Sequence, residues 1–415
     1  MSEAQTLHDM STNVIAMTNW QSQLFNEGAP PGTPVDAAYA IAKEIRSANS
    51  TLPPLFTLAH VAYEAGVPYK FLRSVVARTE AEEHYAVFKI QKRSPSAVKQ
   101  YRWIAAPHPQ LLKVQRWINK WVLKKLPVSE AAFAYVEGGS AYKAACVHRN
   151  AKWLMKVDIS SFFESILETR IYKVFLAAGY QPLLSFELSR ICTRIANPEM
   201  ERAFSINGFA KVKNKGTEHV IKAYASYSLG HLPQGAPTSP MLANLVAKEI
   251  DDEIFALANR YGLRYSRYSD DIVLSSKVEN FGKAQASKVI GKLYAILRRA
   301  SFEPNMEKTK VSGPGSKMIV LGLLVDGDRP RLTAEFKDKL RMHLYFCRTK
   351  SPQAHALARK FDSLIGLKNH LLGLISYARL VDSSFADTCL EELNSCRWPI
   401  SDALDLQSLM DEIEL

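Results

Sequence analysis

Two adjacent carboxylates stand in the segment Tyr268-Ser269-Asp270-Asp271, between two short stretches whose residues are typical of β-strands. Arg264-Tyr265-Ser266-Arg267 precedes the acids and Ile272-Val273-Leu274 follows them, so the pattern predicts a hairpin with both carboxylates at its tip. Two neighbouring negative charges repel each other, and a bound cation would remove that cost. The alternative is a solvent-exposed turn with two acids, and the motif alone leaves both interpretations open.

A third carboxylate, Asp158, follows the apolar stretch Leu154-Met155-Lys156-Val157, 112 residues before Asp270. A sheet that aligns these distant strands would bring the three acids together. Oxygen ligands of this kind suit a hard divalent cation such as Mg²⁺. Two such ions about 3.5–4 Å apart would activate a hydroxyl and stabilise a leaving pyrophosphate. The sequence therefore predicts a phosphoryl-transfer site that needs no His or Cys ligand.

An irregular loop lies between these acids in the sequence, in Leu232-Pro233-Gln234-Gly235-Ala236-Pro237-Thr238-Ser239-Pro240. It leads into an apolar stretch that is predicted to be a helix. The glycine would let the backbone approach a bound nucleotide closely. The alternative is an ordinary proline-rich connector before a helix.

Together, Asp158 with Phe162-Phe163, the Gln234–Pro240 loop and Tyr268-Ser269-Asp270-Asp271, in this order, resemble the palm of bacterial reverse transcriptases, which include retron and group II intron enzymes. The resemblance extends over roughly residues 85–377. Further matching segments are Tyr101-Arg102-Trp103-Ile104 in the fingers, Phe302-Glu303-Pro304-Asn305 and Glu307-Lys308-Thr309 after the acidic pair, and Val320-Leu321-Gly322-Leu323 in the primer grip. The resemblance implies an RNA-directed DNA polymerase.

The resemblance also implies site residues. Those expected at the metal site are Asp158, Ile159, Asp270 and Asp271, of which the three acids are catalytic, with two Mg²⁺ ions or, as a substitute, Mn²⁺. Those expected to bind the incoming dNTP are Lys92, Arg93, Arg102, Phe163, Gln234, Gly235, Tyr268 and Lys308. Those expected to contact primer or RNA are Leu321, Gly322, Lys89, Lys211, Lys213, Lys215, Lys337 and Arg341.

Individual roles follow from the matched positions. Arg102, with Lys92 or Arg93, would hold the triphosphate, as cationic groups do in other phosphoryl-transfer sites. Gln234 would lie beside the nucleotide sugar. Lys308 would assist the departure of pyrophosphate, or it would be an ordinary solvent-exposed lysine.

A bulky side chain is expected under the sugar, and Phe163 stands at that position, five residues after Asp158. An aromatic ring there would leave no room for a 2′-hydroxyl, so it predicts selection of dNTPs over rNTPs. Its neighbour Phe162 is expected to pack in the core.

Positioning these residues requires helices together with an antiparallel sheet, an α+β fold. The family architecture is a right-hand polymerase with fingers, palm and helical thumb, here with an N-terminal helical extension. The expected boundaries are 1–80 for the extension, 81–155 for the fingers, 156–325 for the palm with some fingers elements, and 326–415 for the thumb and C-terminal tail. Predicted helices are 35–48, 55–78, 109–126, 240–257, 280–299, 334–347 and 364–380, and predicted strands are 85–90, 101–104, 156–159 and a pair within 263–276.

Charge is distributed unevenly along the 415 residues, whose net charge is +12. Lys89–Lys125 contains ten Lys and Arg and no acid, which predicts a surface for phosphate groups. Lys211–Lys222 is expected to form a second basic element, a hairpin. The last fifteen residues, by contrast, hold five acids and no base.

Other features favour a cytoplasmic protein with no membrane partner. Met1–Trp20 has no signal pattern, and no apolar run is long enough to span a membrane. The five cysteines lack zinc-ligand spacing and are expected to be reduced thiols.

Two motifs depart from the retron pattern. Ala144-Ala145-Cys146-Val147-His148 lacks the Asn that typically begins a retron motif, and Val320-Leu321-Gly322 stands where retron enzymes typically carry Val-Thr-Gly. Group II intron enzymes usually append further modules, whereas about 90 residues follow the primer grip here. These differences favour a stand-alone class 2 defence-associated reverse transcriptase. That resemblance implies a partner non-coding RNA as template and scaffold, and a cDNA product that protects against phage.

Three other functions stay open at this point. The chain could be a template-independent or protein-primed DNA polymerase, or an RNA-binding scaffold without polymerase activity, although a scaffold has no use for three clustered acids. Leu58–Val76 also resembles a helix-turn-helix, which would suit a DNA-binding regulator or a helix pair packed on the main body.

Overall fold

The computed structural model describes residues 34–79, 84–91, 101–196 and 229–398. Several predicted elements lie outside these residues. They are the basic hairpin with Lys211, Lys213 and Lys215, the cations Lys92 and Arg93, and the acidic C-terminal segment.

Many helices of the described chain begin at a side chain that accepts a hydrogen bond from a first-turn amide, as Thr57, Ser140, Thr333 and Ser363 do. The helices are α1 Pro34–Ala48, α2 Leu58–Glu64, α3 Tyr69–Ala77, α4 Pro109–Trp121, α5 Ala141–Val147, α6 Glu168–Ala177, α7 Pro182–Ile191, α8 Ser239–Arg260, α9 Lys283–Arg299, α10 Ala334–Lys350, α11 Pro352–Ala358, α12 Leu364–Arg379 and α13 Ser383–Ser395. Short 3-10 turns occupy Leu123–Lys125 and Glu279–Phe281.

The strands form three sheets in the described chain. They are β1 Tyr85–Gln91, β2 Tyr101–Pro107, β3 Trp153–Ile159, β4 Arg264–Tyr268, β5 Asp271–Ser276, β6 Pro304–Ser312, β7 Ile319–Val320, β8 Leu323–Leu324 and β9 Arg331–Leu332. The strand orders are β1-β2, β4-β5-β3-β6 and β7-β8-β9. Neighbours β3 and β5, and likewise β4 and β5, pair antiparallel. The mixture of helices and antiparallel sheets confirms the predicted α+β class.

The chain divides into two compact units. The first comprises Met1–Glu137, Ile159–Glu253 and Ile296–Pro304, and the second comprises Gly138–Asp158, Ile254–Ala295 and Asn305–Leu415. The β1-β2 sheet belongs to the first unit. The other two sheets belong to the second, apart from single residues at the ends of β3 and β6. The expected boundaries of fingers, palm and thumb stay predictions.

In the first unit, α2 and α3 form the helix pair that the sequence suggests, with Gly66 in the turn at a φ of 63°. Leu72 and Val76 are fully buried, and the Arg190 guanidinium of α7 donates a hydrogen bond to the Val76 carbonyl oxygen over 2.9 Å. These contacts favour the interpretation of the pair as packed on the body of this unit.

The core of the second unit joins β3, β5 and the small β7-β8-β9 sheet to the helices α10, α12 and α13. Its fully buried members include Val320, Leu323, Leu340, Leu367 and Leu371. Burying one such leucine contributes roughly 1.5–3 kcal/mol, so this cluster holds the sheets and the C-terminal helices together.

The predicted helix 109–126 buries Leu111, Val114 and Ile118 of α4. Trp121 at its end is 37% exposed, with the Lys120 ammonium 4.8 Å from the centre of its ring. The helix ends at Trp121, and a 3-10 turn follows, so the helical spacing does not extend to Leu126.

Two negative expectations can be compared with the described residues. None of their helices is both long and apolar enough to cross a membrane. All five cysteines are free thiols, and four of them are buried.

Candidate active site

Strands β4 and β5, with the turn between them, form the predicted hairpin, which we name the acidic hairpin. Tyr268 pairs with Asp271, so Ser269 and Asp270 make a two-residue turn. Ser269 has a φ of 60°, the left-handed value that such turns require at their first position. The fully buried guanidinium of Arg267 donates a hydrogen bond to the Ser269 carbonyl oxygen over 3.1 Å. The turn that carries Asp270 is therefore held from inside the protein.

The sheet brings Asp158 beside Asp271. The two residues are direct partners in the antiparallel β3-β5 ladder, although more than a hundred residues separate them in sequence. Facing residues in such a ladder have Cβ atoms roughly 5 Å apart. Burial, together with the charges of Asp270 and Asp158, raises the pKa of Asp271 to about 6. This carboxylate is therefore held in a position where its charge is poorly compensated.

Lys308, on β6, is the cation that touches this group. Its Nζ lies 3.0 Å from Asp158 Oδ1 and 3.2 Å from Oδ2. The Lys308 backbone N–H also donates to Asn305 Oδ1, which fixes the strand at this point. Lys308 and Lys156 both lower the pKa of Asp271, against the larger effect of burial. The ammonium of this largely exposed lysine thus lies against a predicted metal ligand, and its part in the departure of pyrophosphate stays a prediction.

The donor set fits a hard divalent cation. It offers carboxylate oxygens and no sulfur or imidazole, which is the preference of Mg²⁺ and Mn²⁺. The raised pKa of Asp271 marks an excess of negative charge that a cation would relieve. Within the described chain, no three His, Cys, Asp or Glu side chains are arranged to hold a metal as they stand. The meeting of all three carboxylates around metal therefore stays a prediction.

A second two-residue turn, Leu321-Gly322, joins β7 to β8 at the predicted primer grip, and we name this element the grip hairpin. Both turn residues have positive φ, 48° and 83°, as a type I′ turn requires. The Tyr377 hydroxyl of α12 donates to the Leu321 carbonyl oxygen over 3.2 Å. Burial raises the pKa of Tyr377, and the nearby Tyr268 adds to that rise. The grip hairpin and Tyr268 of the acidic hairpin are thus neighbours.

In the first unit, the Gln234–Pro240 loop is attached to β2. The Ala105 backbone N–H donates to the Gln234 carbonyl oxygen over 2.8 Å. Gly235 has a φ of 117°, and a Cβ there would lie 2.9 Å from the Ala105 carbonyl oxygen. The glycine is therefore required by the close approach of β2, a reason that differs from the expected approach of a nucleotide. The Ser239 hydroxyl closes the loop by donating to the Pro233 carbonyl oxygen.

Phe162 and Phe163 have the different environments that the sequence predicts. Phe162 is buried at 3% exposure and lies 5.6 Å from Phe302, ring centre to ring centre. Phe163 is half-buried, and its ring centre is 6.4 Å from that of Tyr135, whose φ is 63°. Core packing of Phe162 is confirmed, and the role of Phe163 as a sugar gate stays a prediction.

Two described cations of the predicted fingers, Arg102 and Lys89, lie on the β1-β2 sheet. Arg102 is exposed and pairs with Ile90 across the ladder. The Lys89 ammonium lies 4.5 Å from the centre of the Trp103 ring, a cation–π contact that holds it on the sheet surface. Both of these cations are therefore strand residues.

Helix α10 carries two cations that were expected to contact RNA. Lys337 Nζ is 2.6 Å from Asp382 Oδ2, and the same ammonium lies over the Phe385 ring. Arg341 is exposed, and its guanidinium also lies near Phe385. Lys337 therefore joins α10 to α13, and Arg341 is the better placed of the two to reach a phosphate.

Sequence reasoning missed three residues that shape this region. Arg267 was read as part of a strand without a role, yet it is fully buried against the turn. Tyr377 carries no motif, and only its contact with Leu321 shows its importance. His148 was noted only as the end of a retron-like motif, although it contacts the acidic hairpin.

A protein-family model described as "Reverse transcriptase (RNA-dependent DNA polymerase)" matches residues 90–325, more than half of the chain. The chain belongs to the reverse transcriptase family. It is therefore an RNA-directed DNA polymerase, and the right-hand architecture expected from the sequence is that of its family. Reverse transcriptases work with divalent metal ions, in agreement with the chemistry of the carboxylates.

Retron enzymes are among the similar proteins. This reverse transcriptase is 28% identical to the retron Ec86 reverse transcriptase of Escherichia coli, over 84% of this chain and 96% of that one. It is 29% identical to the retron Mx65 enzyme of Myxococcus xanthus, over 83% and 73% of the two chains. A telomerase structure from Candida albicans covers 83% of this chain at 10% identity with a TM-score of 0.35, which supports no inference.

The comparisons confirm a bacterial, retron-like reverse transcriptase. The likeness to retron enzymes extends over most of the chain, even though two motifs depart from the retron pattern. The closer assignment to class 2 of the defence-associated enzymes stays a prediction.

Proposed function

We propose that this reverse transcriptase copies a partner non-coding RNA into cDNA in bacterial antiphage defence, with two Mg²⁺ ions held by Asp158, Asp270 and Asp271. The observation that carries the catalytic part is the direct pairing of Asp158 with Asp271, beside a restrained turn that bears Asp270. The RNA partner and the defence role rest on the resemblance to defence-associated and retron enzymes.

The bound metals would lower the pKa of the primer 3′-hydroxyl and neutralise charge on the departing pyrophosphate. The chain's own residues supply the placement. The β3-β5 ladder fixes the backbone of Asp158 against that of Asp271, and the Arg267 hydrogen bond fixes the turn that holds Asp270. Reacting groups would thus be held in one orientation before nucleotide arrives.

Lys308 would act in the same step. Its ammonium now contacts both oxygens of Asp158, and a dNTP would offer it a more highly charged partner. We expect it to support the negative charge that develops on the leaving pyrophosphate. Arg102, with Lys92 or Arg93, would hold the triphosphate. Gln234, Gly235 and Tyr268 would line the nucleotide site.

Phe163 would select the sugar. We expect Phe163→Ala to admit rNTPs, because removal of the ring would leave room for a 2′-hydroxyl. Primer extension with dNTPs and rNTPs in parallel measures the discrimination. Phe162→Ala is the matched control, which should lower stability without changing sugar choice. Unchanged discrimination in Phe163→Ala would refute the gate.

RNA recognition would rest on phosphates and shape, as is usual for structured RNA. Cations that would contribute are Lys89, Lys211, Lys213, Lys215 and Arg341, with Lys337 in a supporting part, and Leu321 and Gly322 would contact the primer. We expect the enzyme to act in the cytoplasm, where the RNA would be made.

Sequencing the nucleic acid that co-purifies with the chain tests the proposal. The wild type should carry one defined RNA together with DNA complementary to it. Asp270→Ala should retain the RNA and lose the DNA. DNA without a template in the RNA would support a template-independent or protein-primed polymerase instead. RNA without DNA in both proteins would support a scaffold and overturn the proposed activity.

A further inference from the structure

His148 follows helix α5 and is inserted against the acidic hairpin. Its Nε2 lies 2.7 Å from the Ser266 hydroxyl of β4, and its Nδ1 lies 2.7 Å from the Ser275 hydroxyl of β5. His148 is 0% exposed, and the two serines are 1% and 2% exposed. One imidazole therefore connects the two strands of the hairpin in a site without access to water.

The contacts lie on the same face of the sheet as the carboxylates. Ser266 pairs with Val273, which is two residues from Asp271, and side chains two apart along a strand share one face. Asp158 is the ladder partner of Asp271 and shares that face as well. The imidazole thus contacts the hairpin only a few residues along the strands from the predicted metal ligands.

The chemistry of the imidazole requires both serines. Burial, with a smaller contribution from the charge of Arg264, lowers the pKa of His148 to about 3, so the ring is neutral at physiological pH. A neutral ring has one N–H donor and one bare nitrogen acceptor. One serine hydroxyl accepts from the N–H, and the other donates to the bare nitrogen. Both ring nitrogens are satisfied only while the two strands keep their register.

Arg264 strengthens the same connection. Its guanidinium donates to the Val147 carbonyl oxygen over 3.0 Å and to the Arg149 carbonyl oxygen over 3.2 Å, on either side of His148. Among the described strands, β4 lies at the edge of its sheet, beside β5. A one-residue slip of such a strand would turn its side chains to the opposite face.

We propose that His148 is a positioning residue, which locks β4 to β5 through Ser266 and Ser275 and so holds Asp270 and Asp271 in place. This inference rests on the proposed function, because the placement matters only if the carboxylates bind metal. His148 acts through the hairpin and touches no reacting group.

Hydrogen exchange in the protein without metal or nucleotide tests the lock directly. His148→Ala should raise the exchange rate of amides in Arg264–Ser276 by about tenfold, as the loss of roughly 1.4 kcal/mol of local stability would do. His343→Ala is the matched control, because His343 is buried in the same unit and contacts His355 rather than the hairpin. Equal exchange in the two variants would overturn the lock. Should His148→Ala fail to fold, Ser275→Ala removes one of the two contacts.

Kinetics separate positioning from loss of stability. At a temperature where both variants are folded, His148→Ala should lower kcat by about 10- to 100-fold and raise the Mg²⁺ concentration for half-maximal extension, with little change in the KM for dNTP. His343→Ala should change neither. His148→Gln, which keeps one donor and one acceptor, should recover most of the activity. An unchanged Mg²⁺ requirement in His148→Ala would contradict the positioning role.

The two measurements also separate this inference from the proposed function. Faster hairpin exchange in a chain whose wild type extends no primer would support the lock and refute the polymerase. Normal exchange in an active His148→Ala enzyme would refute the lock and leave the polymerase intact.

Discussion

The acidic hairpin and the grip hairpin of the second unit have similar turn geometry. Each turns in two residues, and the first residue of each turn, Ser269 or Leu321, has a positive φ. In each, a side chain outside the turn donates to the carbonyl oxygen of that first residue, Arg267 in the acidic hairpin and Tyr377 in the grip hairpin. A strained turn is thus stabilised in the same way twice.

The two hairpins differ in what they present. The acidic turn carries Asp270 and leads to Asp271, whose pKa burial raises to about 6, whereas Leu321 and Gly322 carry no charge. The anchors differ as well, since Arg267 brings a buried charge and Tyr377 a neutral hydroxyl. The same restrained turn thus occurs in both hairpins, which differ in the charge of the side chains that the turn presents.

The largest expected effect comes from removing a charge of the acidic hairpin. Asp271→Asn should lower primer extension by about a thousandfold or more, because a metal ligand worth several kcal/mol is lost. The folded protein should be no less stable at pH 7, since the change removes a poorly compensated charge. Single-turnover extension and thermal unfolding measure the two effects. Leu321→Ala is the control in the grip hairpin. Primer extension by Asp271→Asn as fast as that by Leu321→Ala would refute the proposed difference between the two hairpins.

The second largest effect is expected from Arg267, the side chain that holds the turn of the acidic hairpin. Arg267→Gln should lower the free energy of unfolding by about 1.5–3 kcal/mol, the range for a hydrogen bond that involves a charged group. We also expect a lower kcat, because the Asp270 turn loses its restraint. Denaturant titration and steady-state kinetics measure these changes. A variant with full stability and full kcat would show that the buried guanidinium does not hold the turn.

A fall in pH should lower the free energy of unfolding because it favours protonation of His148. Its folded pKa of about 3 lies below the value of about 6.5 expected in the unfolded chain. The stability from this group is therefore present above pH 6.5 and is lost as pH falls toward 3. Wild type should lose about 2 kcal/mol more than His148→Gln between pH 7 and pH 5. The pKa of His343 is also lowered, but both proteins contain His343. The difference between their denaturant titrations therefore reports the contribution of His148.

The smallest expected effect lies in the grip hairpin. Tyr377→Phe removes one neutral hydrogen bond and should lower the free energy of unfolding by about 1 kcal/mol. Because the turn residues Leu321 and Gly322 carry no carboxylate, kcat should stay near the wild-type value, while the primer should dissociate faster. Primer dissociation rates report this change. A drop in kcat as large as that of Arg267→Gln would mean that the two anchors serve the same site.

Much of the acidic hairpin was predictable from sequence. Apolar residues on both sides of Asp270 and Asp271 predict strands, and the short turn between them follows from the spacing. The pairing of Asp158 with Asp271 was an expectation drawn from chemistry and family resemblance, and the observed register gives it a physical basis.

The supporting contacts were not predictable. His148 meets Ser266 and Ser275 across 118 and 127 residues, and no spacing rule connects positions that far apart. Arg267 is charged, and charged residues are rarely fully buried, so its position could not be read from its type. The steric requirement for glycine at position 235 could not be predicted either, because the strand that approaches it lies far away in sequence.

Mn²⁺ binding followed by electron paramagnetic resonance tests the central claim most directly. Nucleic-acid-free wild type should bind Mn²⁺ saturably, and Asp158→Asn and Asp271→Asn should each lose that binding. Asp326→Asn removes a carboxylate of the same unit that pairs with Arg331, and it should bind Mn²⁺ as the wild type does. Undiminished Mn²⁺ binding by Asp158→Asn and Asp271→Asn would contradict the claim that these carboxylates form the metal site.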